Sequence, residues 1–391
     1  MPVSIARYDD QLTWFDFACQ YVDLKWKGAA ATYRRGIAEA MVTVTMAMLT
    51  DGRGKPEDKA IRSVLFRWAF NTQRRKDENE KSEADSRVLM WVSANTRNVH
   101  TLGDKRILRP VMDAIASKLD GSPAAATVVN RKRAVLYNAL DYAVELEQLE
   151  ANPIPKLKWT APKASRALDG RTVVNPIQAR TMLNAIRETK RSGARLFACF
   201  ACSYFAALRP EEAINVRISD FRLADPARPG DLGEFSLRRS APHAGKAWTN
   251  SGKDRDDRGL KHRAHGEERP VPISPELNAI LHAHLDEFGT DDDGRLFVGD
   301  RGGDVPVITY NRVWHKARAS TFTEEVRKTP LAATPYTLRH AAVSTWLAGG
   351  VDPAQVAKWA GHSLEVLLQV YAKSLHGRET AARQLMGESY R

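Results

Sequence analysis

Residues 153–169 decide how this chain can be organised. Pro153, Pro155 and Pro162 fall in this stretch among Lys156, Lys158, Lys163 and Arg166, and no acidic residue occurs before Asp169. Each proline removes a backbone donor and fixes φ, so the stretch is unsuited to the interior of a helix or a central strand. It reads as an extended basic linker. The chain of 391 residues is therefore expected to form two domains, residues 1–160 and 161–391, in keeping with roughly 150 residues per domain.

The two sides differ in pattern. From residue 29 to 149 apolar residues recur at helical spacing over 37–49, 60–70, 111–119 and 128–149, and Asn152-Pro153 stops the last of these helices. Beyond the linker, helices are expected over 176–187, 195–216, 275–288, 309–319, 338–348, 353–360 and 363–373. Strands are expected over 235–239 and 268–273. The expected fold is mainly α with a small antiparallel sheet in the second domain.

Composition excludes several function classes. Lys and Arg number 59 against 47 Asp and Glu, a formal charge of +12 that favours a polyanionic partner. The longest apolar run, residues 196–208, falls short of the roughly 20 residues that cross a bilayer, and the first ten residues lack a basic then apolar leader. A cytoplasmic protein with no membrane partner is expected. Cys19, Cys199 and Cys202 are too few to staple such a chain. Cys199-Phe-Ala-Cys202 has metal-ligand spacing but no second pair to complete four ligands, so it reads as buried helix. Gly299-Asp-Arg-Gly-Gly303 and Ser251-Gly-Lys253 lack phosphate-loop spacing. Asp291-Asp-Asp-Gly-Arg295 lacks calcium-loop spacing and reads as a solvated turn, and the absence of clustered carboxylates disfavours a metal-dependent nuclease.

A set of cations and one phenol remains: Arg209 in Ala207-Leu-Arg-Pro-Glu-Glu212, Arg339 and His340 in Pro335-Tyr-Thr-Leu-Arg-His340, His362 in Gly361-His-Ser363, and Tyr371, nine residues after His362. Singly, these have ordinary readings as a helix turn with an ion pair, a helix cap and a core aromatic beside Leu367 and Leu368. Their order and spacing over residues 174–375, with Leu347-Ala-Gly-Gly-Val351 ahead of the last two, resemble the tyrosine recombinase (phage integrase) family.

The resemblance implies a site with two arginines, a lysine, two further polar residues and a tyrosine nucleophile. Arg209 and Arg339 match the arginines, with Glu212 as the accompanying acid, and His362 and Tyr371 match the later positions. Tyrosine has an ordinary pKa near 10, so its attack on a phosphodiester needs a proton acceptor and fixed positive charge on the non-bridging oxygens. Arginine suits the second task because its planar fork binds phosphate oxygens and stays charged. The family lysine sits on a β-hairpin. Lys246, Lys253 and Lys261 all precede the strand Arg269-Pro-Val-Pro-Ile273, and Lys261, the nearest, is the expected one. In one departure, Tyr336 stands where the family usually has histidine. A phenol can donate to a phosphate oxygen but is a poor base at neutral pH, which shifts weight to His340 or His362 as supporting groups.

The implied fold is a helical, SAM-like core-binding domain followed by an α-rich catalytic domain. The implied product is a 3′-phosphotyrosine with a free 5′-hydroxyl, formed without metal or other cofactor. The expected function is site-specific recombination or integration of a mobile element, and the alternative is a DNA-binding protein of this fold without cleavage. Double-stranded DNA at attachment sites is the expected partner, with a homo-tetramer on synapsed DNA, accessory bending or directionality factors, and nucleoid association when DNA-bound. Residues 235–270 hold nine Lys/Arg and five Asp/Glu, an excess that suits backbone contact. Residues 1–25 are a candidate arm for further DNA, and residues 379–386 a candidate tail helix for a neighbouring protomer.

Overall fold

The computed structural model describes residues 12–77, 80–163, 167–225, 227–228, 230–261, 266–375 and 386. The chain divides into two compact units, Met1–Ser165 with Ala244–Asp254, and Arg166–His243 with Arg255–Arg391. The tail helix expected over 379–386 lies outside the described residues, Met386 apart.

The first unit is helical: α1 Trp14–Trp26, α2 Ala31–Ala47, α3 Asp58–Val64 running into a π-helical turn at Leu65–Ala69, α4 Thr72–Arg75, α5 Glu83–Ala94, α6 Lys105–Ala116 and α7 Ala126–Glu145. Half of the candidate N-terminal arm is core. Trp14, Phe17, Ala18, Tyr21, Val22 and Trp26 of α1 are buried, and Trp14 Nε1 donates to Thr45 Oγ1 of α2 at 2.9 Å. Residues 1–11 lie outside the described residues. Pro110, expected to precede a helix, sits inside α6, whose start is capped by Asp104 accepting from the Arg106 backbone.

Nothing in the sequence marks the return of Ala244–Asp254 to this unit, yet it completes the unit's core. The Trp248 ring is buried against Phe66 (centroids 5.0 Å) and Trp26 (5.9 Å). Arg34 Nη1 donates to the Trp248 carbonyl at 3.0 Å and to Asn250 Oδ1 at 2.7 Å, and Asn71 Nδ2 donates to the Ala247 carbonyl at 2.7 Å. Backbone carbonyls with buried side-chain donors mark a docked segment, not a passing loop. Trp248→Ala should therefore destabilise the helical unit by about 3 kcal/mol, the lower end for removing a buried Trp. Denaturant unfolding of the full chain measures this, and an unchanged midpoint would mean that the ring does not contribute to the core.

The second unit carries α8 Pro176–Glu188, α9 Gly193–Phe205, α10 Pro210–Ala213, then β1 Phe221–Arg222, β2 Gly233–Leu237, β3 Arg239–Ser240, β4 Arg258–Gly259 and β5 Arg269–Ile273. It ends in α11 Pro275–Phe288, α12 Val307–Thr321, α13 Glu324–Arg327, α14 Tyr336–Ala348, α15 Pro353–Ala360 and α16 Leu364–Leu375. A mainly helical fold with a small antiparallel sheet is what the sequence predicts. Strands β1, β2 and β5 form one antiparallel sheet in that order, with Phe235 opposite Val271. Pro270 and Pro272 suit β5 to its edge position. A separate ladder pairs β3 with β4.

The single helix expected over 195–216 is a correction. The chain leaves α9 after Phe205, takes a left-handed conformation at Ala207 (φ 49°), and re-enters helix at Pro210. A left-handed alanine costs roughly 1–2 kcal/mol. Pro210 at the first helical position then accepts the break, since its missing N–H would have had no partner there. This break presents Arg209. On α9 itself, burial pushes the Cys199 and Cys202 thiols up, so both behave as core residues.

Candidate active site

Five elements of the second unit converge on one cluster: the turn before α10 with Arg209, β5 with Arg269, α14 with Tyr336, Arg339 and His340, the turn after α15 with Gly361 and His362, and α16 with Tyr371. The chemistry begins at Glu212. Its buried carboxylate accepts from Arg209 Nη1 at 2.7 Å and from the Arg209 backbone N–H at 2.9 Å. Arg269 Nη1 and Nη2 close a bidentate fork on the same carboxylate at 2.9 and 2.6 Å. Burial pushes the Glu212 carboxyl up, but Arg269 and then Arg209 outweigh it and hold the group down at about 2. The carboxylate is thus charged and saturated.

Arg209 turns its other nitrogen to the backbone, Nη2 donating to the Gly361 carbonyl at 2.7 Å. Gly361 is required here on two counts. Its φ of +66° ends α15 in the left-handed region, and a Cβ there would lie 2.5 Å from Arg269 Nη1 and 3.2 Å from Arg209 Nη1.

Arg339 is fully buried. Nη1 donates to the Ala207 carbonyl and Nη2 to the Ala360 carbonyl, so the left-handed turn at Ala207 is tied to the site it exposes. Nη2 also lies 2.9 Å from His362 Nε2. Because guanidinium can only donate, His362 Nε2 must accept, which places the His362 proton on Nδ1. Neither His362 Nδ1 nor the Arg339 and Arg269 Nε atoms has a partner among the described residues, although all three are buried. Burial, then Arg339 and Arg209, hold the His362 imidazole down at about 3.

Tyr371 is 1% exposed and stands at a kink in α16, with φ −109° and ψ 16°. Its hydroxyl is 2.7 Å from His340 Nδ1. Burial pushes the phenol up, against the opposing pull of Arg339. Tyr336, half-buried at the first turn of α14, has its ring 5.0 Å from the His340 ring and 5.9 Å from the Arg339 guanidinium carbon.

Seven of the sequence-derived residues, Arg209, Glu212, Tyr336, Arg339, His340, His362 and Tyr371, come together. Lys261 is exposed on the turn after β4, and among the described residues no contact joins it to them. Lys246 and Lys253 are exposed on the Ala244–Asp254 segment of the first unit. The residue that the sequence reading missed is Arg269. Its signal was present, since alternation in Arg269-Pro-Val-Pro-Ile273 puts Arg269 on the inward face with Val271 and Ile273, and a cation on such a face needs a buried carboxylate.

Two of the three buried guanidinium groups, Arg209 and Arg269, thus share the Glu212 carboxylate, while Arg339 donates to backbone carbonyls, which leaves an excess of positive charge with orphan donors. Such an excess favours an anion, and planar guanidinium forks suit phosphate. Among the described residues no group of three or more His, Cys, Asp or Glu is placed to hold a metal ion, and no helix is long and apolar enough to cross a membrane.

Comparison with known proteins agrees with the fold. No family model matches the chain. Over 106 residues it is 32% identical to tyrosine recombinase XerC of Corynebacterium glutamicum, covering 27% of this chain and 32% of that protein. Over 117 residues it is 30% identical to the integrase/recombinase y4rC of Sinorhizobium fredii, covering 29% and 35%. The chain spans about a third of the length of these curated relatives. Among solved structures, the Tn1549 transposon integrase in complex with circular intermediate DNA superposes with a TM-score of 0.53 at 16% identity, over 81% of this chain and 97% of that one. The XerH recombinase bound to its difH substrate gives 0.53 at 13% identity, over 95% and 94%. Over about 30% of its length in sequence, and in fold over most of it, the chain is similar to tyrosine recombinases.

Proposed function

We propose that the protein is a site-specific DNA recombinase, an integrase of a mobile element, that breaks and rejoins duplex DNA through a 3′-phosphotyrosine. The observation that carries this reading is the buried phenol of Tyr371 held beside a site with excess guanidinium charge. Arg209 and Arg339 hold the non-bridging oxygens of the scissile phosphate. Glu212 and Arg269 position Arg209, and His362 donates from Nδ1. Tyr371 attacks phosphorus, and the 5′-hydroxyl leaves with a proton from a hairpin lysine, for which Lys261 stands first. No metal is needed, because guanidinium supplies the charge stabilisation.

The XerH and Tn1549 structures hold DNA, which supports duplex attachment sites as the partner here. The helical unit then serves as the core-binding domain, and four copies act on synapsed DNA with accessory bending or directionality factors. The test is a nicked suicide duplex taken from the junctions that flank the gene, incubated with the protein in chelator. A denaturation-resistant protein–DNA adduct is expected. Tight binding with no adduct would leave a DNA-binding protein without cleavage.

Tyr336 donates a hydrogen bond to the phosphate in this scheme and does not act as a base. Tyr336→Phe should slow single-turnover cleavage by roughly 10-fold, below the 100-fold or more seen for a full oxyanion donor. Tyr336→His should stay active and acquire a pH dependence between about 6 and 7.5, because imidazole titrates there and a phenol does not. Cleavage measured against pH for the three proteins checks this. A wild-type rate in Tyr336→Phe throughout would reduce Tyr336 to packing.

A further inference from the structure

We propose that His340 is the proton acceptor for Tyr371, its Nδ1 taking the phenolic proton as the oxygen bonds to the scissile phosphorus. The inference rests on the strand-cleaving reading above and assigns a step which that reading leaves open, since Tyr336 stands where the family usually has histidine.

Geometry selects His340 over the other two candidates. Its Nδ1 is 2.7 Å from the Tyr371 hydroxyl, within range for direct transfer. His362 has already committed its Nε2 lone pair to Arg339, and its ring lies stacked 6.2 Å from the Tyr371 ring. Tyr336 offers only another phenol, which has no proton-accepting role near neutral pH.

The surroundings keep His340 ready to accept. Burial first, then the neighbouring Arg339, hold its imidazole down at about 4, so it is neutral in the physiological range. The charged and titratable groups that face it are Tyr336 and Arg339 on its own helix, His362 on the turn after α15 and Tyr371 on α16. Tyr204 of α9 meets α14 further along, at Thr345, and Arg180 of α8 reaches Tyr204. Because burial pushes the Tyr371 phenol up, the proton rests on the hydroxyl, which then donates to an unprotonated Nδ1, and His340 carries its own proton on Nε2.

A base this weak cannot ionise a free phenol, and it does not have to. The hydroxyl proton becomes strongly acidic once the oxygen begins to bond to phosphorus, so transfer to a weak neighbour turns favourable late in the attack. In that step the O–H bond of Tyr371 breaks and an N–H bond forms at Nδ1. The oxygen–phosphorus bond forms and the bond from phosphorus to the 5′ oxygen breaks. The electron pair departs on the 5′ oxygen, which takes a proton from a lysine ammonium or from water.

The test uses the full-length protein and the nicked duplex from the flanking junctions. His340→Ala should lower single-turnover adduct formation by about 100-fold or more, the scale of general base catalysis, with duplex affinity unchanged. Imidazole added to the buffer should restore part of the rate. Between pH 5.5 and 9 (about one unit or more above the titration of His340) the wild-type rate should be flat. The His340→Ala rate should climb with pH as hydroxide takes over. In the free protein, nitrogen chemical shifts should report His340 Nδ1 as unprotonated at neutral pH. A wild-type rate in His340→Ala overturns the proposal, as does a loss with flat pH dependence and no imidazole rescue, or a protonated Nδ1. Failure of the strand-cleaving reading looks different: the wild-type protein itself then gives no adduct, or one on another tyrosine.

Discussion

Tyr371→Phe is expected to abolish the covalent adduct while leaving the fold and DNA binding intact. The change deletes one hydroxyl whose sole described contact is with His340 Nδ1. Losing a single hydrogen bond of this kind costs about 1 kcal/mol, while the ring keeps its place in the core formed with Val343, Leu347, Val356 and Leu367. Cleavage loses its nucleophile altogether, so the rate should fall by ~10⁴-fold or more, the scale seen when a covalent catalyst is removed. Adduct formation on the nicked duplex and a binding isotherm for the same duplex separate the two effects. An undiminished adduct would remove Tyr371 from the chemistry.

Arg339→Ala and Arg209→Ala should each lower cleavage by ~100-fold or more, as when a preorganised charge or donor is withdrawn, with a far smaller change in DNA affinity. The reason is that the positive charge is needed most where the phosphorane gathers negative charge, in the transition state. The two variants differ in their side effects. Arg339 also ties the Ala207 and Ala360 carbonyls, and buried carbonyls left without a donor cost about 1–3 kcal/mol each, so Arg339→Ala should also lose stability. Arg339→Lys keeps a charge but cannot span both carbonyls and the phosphate. It should therefore fold better than Arg339→Ala and remain slow. Single-turnover rates at saturating DNA, set beside dissociation constants, test this. Loss of affinity in proportion to loss of rate would make the arginines phosphate anchors only.

What could be read in the sequence was what is written locally. Arg209 before Pro210, the turn of Tyr336 and Arg339 at the start of one helix, and Gly361 with His362 each occupy a few consecutive residues whose conformation follows from proline, glycine and helix periodicity. What escaped was pairing across distance. Arg269 meets Glu212 across 57 residues, and His340 meets Tyr371 across 31. A period-2 strand signals that Arg269 faces inward but not which carboxylate awaits it. The break after α9 also escaped, although Pro210 ends the apolar run 196–208, because proline is equally at home in the first turn of a helix and the left-handed alanine at 207 has no signature of its own. The docking of Trp248 among Trp26 and Phe66 lay deeper still, since a polar loop with one tryptophan reads as an ordinary surface excursion. Helix α1 is likewise not among the expected helices, although its buried residues follow helical spacing from Trp14 to Trp26.

The central claim is that one particular phenol forms the covalent link, and peptide mapping of the adduct tests it most directly. The wild-type protein is reacted with the nicked duplex, digested with protease and nuclease, and the nucleotide-bearing peptide is sequenced by mass spectrometry. A phosphonucleotide on Tyr371, joined through the 3′ phosphate, is the predicted result. A modification on Tyr336, Tyr390 or any other residue, or a link through the 5′ end of the strand, would contradict the account.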